Sequence, residues 1–108
     1  ELQDAATAIS KFAKDMKKPV KKYVKGTDEL KAVAKSLTDE LSSLADKSKA
    51  LASRIRSGKP ASAEARQMMG AVRRIESLLQ TEGMPDQVAT AWREGSTSIY
   101  KIKQAFAL

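Results

Sequence analysis

A chain of 108 residues with 42% apolar content can close one hydrophobic core, so a single domain is expected. It has neither cysteine nor histidine, which excludes disulfides, thiolate metal sites and the commonest general base, and points away from an enzyme and from any cofactor. The net charge of +7 is concentrated, because seven lysines and a single acid, Asp15, lie between Lys11 and Lys25, while the charges elsewhere nearly balance.

The first predicted helix places Leu2, Ala5, Ile9, Phe12, Met16, Val20 and Tyr23 at steps of three and four, one stripe facing a core. Pro19 falls inside it and predicts a kink or break near Lys18, since proline removes a backbone donor and crowds the preceding turn. Gly26 is a natural left-handed stop. Thr27 or Asp28 caps a second helix, in which Leu30, Leu37, Leu44 and Leu51 form a heptad series with Ala34, Leu41, Ser48 and Ile55 as companions. At roughly 30 residues this helix spans about 45 Å, a length that only other long helices can cover. Ser57, Gly58, Lys59 and Pro60 end it. Ser62 is read as the cap of a third helix that buries Ala65, Met69, Val72, Ile75 and Leu79 and closes at Gly83. Pro85 at a first turn, with Asp86 beside it, opens a fourth, whose stripe is Val88, Trp92, Gly95, Ile99, Ile102 and Phe106.

No stretch alternates apolar and polar residues as a half-buried strand would. Short connections near Gly26, Gly58 and Gly83 make neighbouring helices antiparallel. The expected fold is therefore all-α, an up-down-up-down antiparallel four-helix bundle covering residues 1–108. Two other arrangements fit the same pattern: a three-helix bundle if Pro19 destroys the first helix, and a helical hairpin that dimerises. No apolar run nears the roughly 20 residues of a membrane-spanning helix. The sequence from Glu1 shows no basic-then-apolar leader, and a start at Glu1 also suits a mature form cut from a targeted precursor.

The residues singled out for partner docking are Lys11, Lys14, Lys17, Lys18, Lys21, Lys22 and Lys25 on the first helix, Arg73 and Arg74 on the third, and Tyr100, Lys101 and Lys103 on the fourth. A lysine run on a helix is commonly a solvated face that keeps a protein soluble. The functional reading is electrostatic docking onto an acidic surface. The up-down order gathers Lys17 to Lys25 with Asp28, Glu29, Glu82 and Asp86 at one pole, which predicts partial neutralisation there. Arg54, Arg56 and Lys59 form a second basic group at the other pole. Nucleic acid is the weaker partner, because the five aromatic residues offer no stacking platform and neither a helix-turn-helix spacing nor a glycine-rich phosphate loop is present. A membrane surface is weaker too, since the core already needs the apolar face of the lysine helix. Met16, Met68, Met69 and Met84 read as core filler and not as haem ligands. Gly70 and Gly95, inside helices, each cost about 1 kcal/mol relative to alanine and imply close packing around them.

The segment from the Ser62 to Leu79 helix through Pro85 to the Ile99, Tyr100, Ile102 and Phe106 stripe resembles in layout the last two helices of the PsbQ-type extrinsic proteins of photosystem II, as a divergent algal or diatom member would. The resemblance covers helix lengths, a proline-opened final helix and a lysine-bearing surface. It implies a cofactor-free subunit of the thylakoid lumen that docks through lysines onto an acidic protein complex, the lumenal subunits of photosystem II, and stabilises the oxygen-evolving centre. No small-molecule substrate is expected. The alternative is a basic helical protein associated with nucleic acid or with an anionic membrane surface.

Overall fold

Periodic apolar stripes bounded by glycine turns produce an all-helical chain. The computed structural model describes residues 1–108 and holds five α-helices and no strand: α1 (Leu2–Tyr23), α2 (Asp28–Arg56), α3 (Ser62–Leu79), α4 (Asp86–Gly95) and α5 (Thr97–Ala105). The three turn glycines, Gly26, Gly58 and Gly83, all take positive φ, of 122°, 70° and 87°. Gly58 shows what that conformation achieves. Its N–H bonds to the Ile55 carbonyl and the Lys59 N–H to the Arg54 carbonyl, which satisfies two of the carbonyls left open at the end of α2. Arg54 then donates to the Pro60 carbonyl at 2.8 and 3.1 Å and lies 3.7 Å from Glu64, tying the α2–α3 turn to both helices.

α2 is the spine. Its 29 residues extend about 44 Å, matching the 46 Å long axis of the molecule. α1 lies along it antiparallel, with the Ser10 hydroxyl donating to the Ala45 carbonyl at 2.9 Å. Small buried side chains occur on both sides of this pairing, the most extensive between two helices: Ala6, Ser10 and Ala13 on α1, and Ala45, Ser48 and Ala52 on α2. α3 folds back on the other flank of α2, where Arg74 donates to Glu40 at 2.9 Å. α4 and α5 run antiparallel to α1 along its remaining flank. Phe12 stacks on Trp92 there, with ring centroids 5.3 Å apart, while Leu2 shares a recess with Lys101 and Ala105. Leu37, Leu41, Leu44, Leu51, Met68, Ile75 and Ile102 are among the fully buried side chains of the one core that results.

Four local expectations are corrected. The break expected near Lys18 is not found, because α1 continues as helix through Pro19 as far as Tyr23. The carbonyl that loses its partner belongs to Asp15, an exposed residue, so solvent can replace the missing donor. Thr27 does cap α2, accepting from the Leu30 N–H at 3.1 Å, but Ser62 is the first residue of α3 and not its cap. Ala61 occupies that position without a side-chain bond. Pro85 likewise precedes α4 as its cap and does not sit in its first turn.

The fourth correction is larger, because the single final helix is two. Gly95, Ser96, Thr97 and Ser98 are consecutive weak helix formers, and the Ser96 hydroxyl donates to the Arg93 carbonyl at 3.1 Å, competing with the helical ladder. α5 restarts with an Ile99 N–H bond to the Ser96 carbonyl, closer than the α-helical spacing. The buried stripe survives the interruption, since Val88, Trp92, Ile99 and Ile102 are all in the core.

Candidate functional site

Helical phase decides how the α1 lysines are presented. At about 100° per residue, the six lysines inside the helix, Lys11 to Lys22, fall within an arc of about 140° centred away from the Ala5, Ile9, Met16 and Val20 stripe, with buried Ser10 at its α2 side. All six are exposed except Lys17, which is half-buried, and Lys25 is exposed just beyond the helix end. Asp15 lies at the edge of the arc. Ala5, Ile9, Met16 and Val20 anchor the helix from below, so the cations project from a well-seated element. Lys21 and Lys22 also occupy its last turn, where positive charge favours the C-terminal end of the helix dipole. Lys22 Nζ sits 5.3 Å from the centroid of the Tyr23 ring.

The expected neutralisation at this pole is not found as direct pairing. Gly83 does approach Leu30, so the α1–α2 and α3–α4 turns meet there. The ion pairs, however, lie elsewhere: Glu1 amino group with Asp4, Arg54 with Glu64, and Arg74 with Glu40. None of the seven lysines has a carboxylate within pairing distance. Their separation from Asp28, Glu29, Glu82 and Asp86 leaves the positive face uncompensated at contact range.

The remaining docking candidates do not join that face. Arg73 and Arg74 diverge by about 100° around α3, and Arg74 is already bound to Glu40. Tyr100, Lys101 and Lys103 are exposed on α5, along the flank of α1 opposite to α2. Tyr100 is the one large exposed hydrophobic side chain, at 61%. With Lys103 it borders a small recess of about 70 Å³ between α5 and α3, alongside Met69, Val72 and Glu76. A wider cleft of about 370 Å³ follows between α3 and α4, where Trp92 Nε1 donates to Glu76 at 3.3 Å.

Residues that the sequence reading did not associate with the lysine face stand beside it on α2. Lys31, Lys35, Lys49 and Arg56 share an arc of about 60° on that helix, and all four are exposed. Two of them, Lys49 and Arg56, join Lys11 and Lys14 in lining a groove of about 410 Å³ between α1 and α2. The signal was present in the spacing of α2, but it acquires meaning only once the α1–α2 register is known. No group of three carboxylate, imidazole or thiol side chains converges anywhere to hold a metal ion, and no helix is long and apolar enough to cross a membrane. No protein-family model, curated protein or solved structure matches the chain.

Proposed function

We propose that this protein is a non-catalytic helical subunit that docks electrostatically, through the lysine face of α1, onto an acidic protein complex. The observation that carries this reading is the combination of six lysines on α1 and a seventh just past its end with no carboxylate paired to any of them. Unpaired like charges on one face repel one another, and an acidic partner relieves that repulsion while accelerating encounter. The core consumes the apolar stripe of α1, which leaves the charge to make the contact. In this reading α4 and α5 jointly occupy the fourth position of an up-down bundle, and Tyr100, Lys101 and Lys103 add a second, smaller contact area.

The most specific form of the proposal is the one that the PsbQ-type resemblance implies: an extrinsic subunit of photosystem II in the thylakoid lumen, seated on acidic lumenal subunits and stabilising the oxygen-evolving centre. Its test is co-sedimentation with photosystem II preparations stripped of their extrinsic subunits, compared with duplex DNA and phosphatidylserine vesicles. Saturable binding to the stripped complex that weakens with salt is the expected result. Preferential binding to DNA with a steep salt slope would replace the reading with a nucleic-acid role, and preferential vesicle binding would replace it with a membrane-surface role.

A further inference from the structure

The groove between α1 and α2 has a composition that the docking face as a whole does not share. Lys11 and Lys14 line it from α1, Lys49 and Arg56 from α2, and no carboxylate lines it at all. Hydrogen-bonding groups come with the cations: Gln3 and Thr7 on one wall, Ser53 on the other. The floor is Ser10, whose hydroxyl is committed to the Ala45 carbonyl, and Ala52, the single apolar contributor. Both walls belong to the most extensively paired helices, held together by buried residues and the Ser10 to Ala45 bond, so the cations are mounted on a fixed frame.

The register set by the Ser10 to Ala45 bond strings these charges out. Arg56 and Lys49 stand toward Gln3 and Thr7, and Lys11 and Lys14 follow, so the backbone positions of the four cations succeed one another along about 22 Å of groove, with Lys49, Lys11 and Lys14 grouped toward one end. We infer that this groove is a binding site for a small, multiply phosphorylated molecule, with its phosphates taken in series by Arg56, Lys49, Lys11 and Lys14. Three features select that class. No aromatic side chain lines the groove, so nothing stacks a nucleobase. Almost nothing apolar lines it, so a hydrophobic ligand gains little by entering. Successive cations along one groove without counter-charge favour a ligand that carries several negative charges, and charge-assisted bonds from lysine and arginine to phosphate oxygens are the strong kind.

Isothermal titration of the full chain with orthophosphate, pyrophosphate, tripolyphosphate and citrate, at an ionic strength of about 0.15 M, tests the inference. Affinity should rise along the phosphate series with one molecule bound per chain, and tripolyphosphate should exceed citrate. A Lys14→Gln, Lys49→Gln double variant should bind tripolyphosphate about tenfold more weakly or worse. A Lys18→Gln, Lys22→Gln variant, which loses the same charge outside the groove, should bind nearly as the parent does. Equal loss in both variants, or citrate binding as tightly as tripolyphosphate, would overturn the site as diffuse attraction, and so would the absence of binding. Vesicles containing a phosphatidylinositol bisphosphate assign the source of the phosphates: retention that tripolyphosphate displaces marks a lipid headgroup, and solution binding without retention marks a soluble ligand. The docking proposal is tested separately, because Lys17, Lys18, Lys21 and Lys22 lie outside the groove lining.

Discussion

Gly70, inside α3, and Gly95, the last residue of α4, have opposite structural meaning. A Cβ on Gly95 would collide with the Phe12 ring, which lies over Trp92, whereas a Cβ on Gly70 would meet only the end of the Arg74 side chain at 3.5 Å. Gly95→Ala is therefore expected to destabilise the protein by about 1–2 kcal/mol, overpacking outweighing the gain in helix propensity. Gly70→Ala should stabilise it by up to about 1 kcal/mol. Urea denaturation of the two variants checks the contrast, and equal shifts would refute it. Ser48 gives a second test at this scale. It is fully buried and its hydroxyl has no partner, while the hydroxyl of Ser10 across the same seam is bonded. Ser48→Ala should be neutral or stabilising by about 1 kcal/mol, and Ser10→Ala destabilising by about the same amount. The reverse order in thermal melts would show that the Ser48 hydroxyl is satisfied after all.

At the scale of elements, Pro19 marks the tension between sequence and packing. The buried residues Met16 and Val20 bracket it and keep α1 seated on the core, and the chain stays helical through the lost hydrogen bond. Pro19→Ala restores a donor for the Asp15 carbonyl and should raise stability by about 1–3 kcal/mol without changing helical content. An unchanged denaturation midpoint would mean that the helix has already absorbed the proline at no cost. Much of this level was readable in advance, because apolar spacing and positive-φ glycines are local signals. The four buried stripes and the stops at Gly26, Gly58 and Gly83 required no knowledge of neighbours. The division between α4 and α5 was hidden for a physical reason: Trp92, Ile99 and Ile102 keep helical phase across Gly95 and Ser96, so the stripe looks continuous where the backbone is not. The Ser62 cap failed similarly, since a favourable side chain one position inside the helix no longer faces the open N–H groups.

For the molecule as a whole, the lysine cluster was plain in the sequence, whereas the groove was not. Lys49 and Arg56 are remote from Lys11 and Lys14 along the chain, and only the α1–α2 register brings their walls together. The same distance effect undid the expected neutralisation: residues sharing a pole need not come within pairing distance. What remains is a helical body whose positive charge is uncompensated on one side, and the central claim is that this side meets an acidic protein partner. The most direct measurement is the affinity of the Lys17→Glu, Lys18→Glu, Lys21→Glu, Lys22→Glu variant for stripped photosystem II, with circular dichroism recorded on the same sample. Near-parental helicity together with a loss of binding of about tenfold or more is the predicted result. Undiminished affinity in a folded variant would contradict the account and leave the lysine face a means of staying in solution.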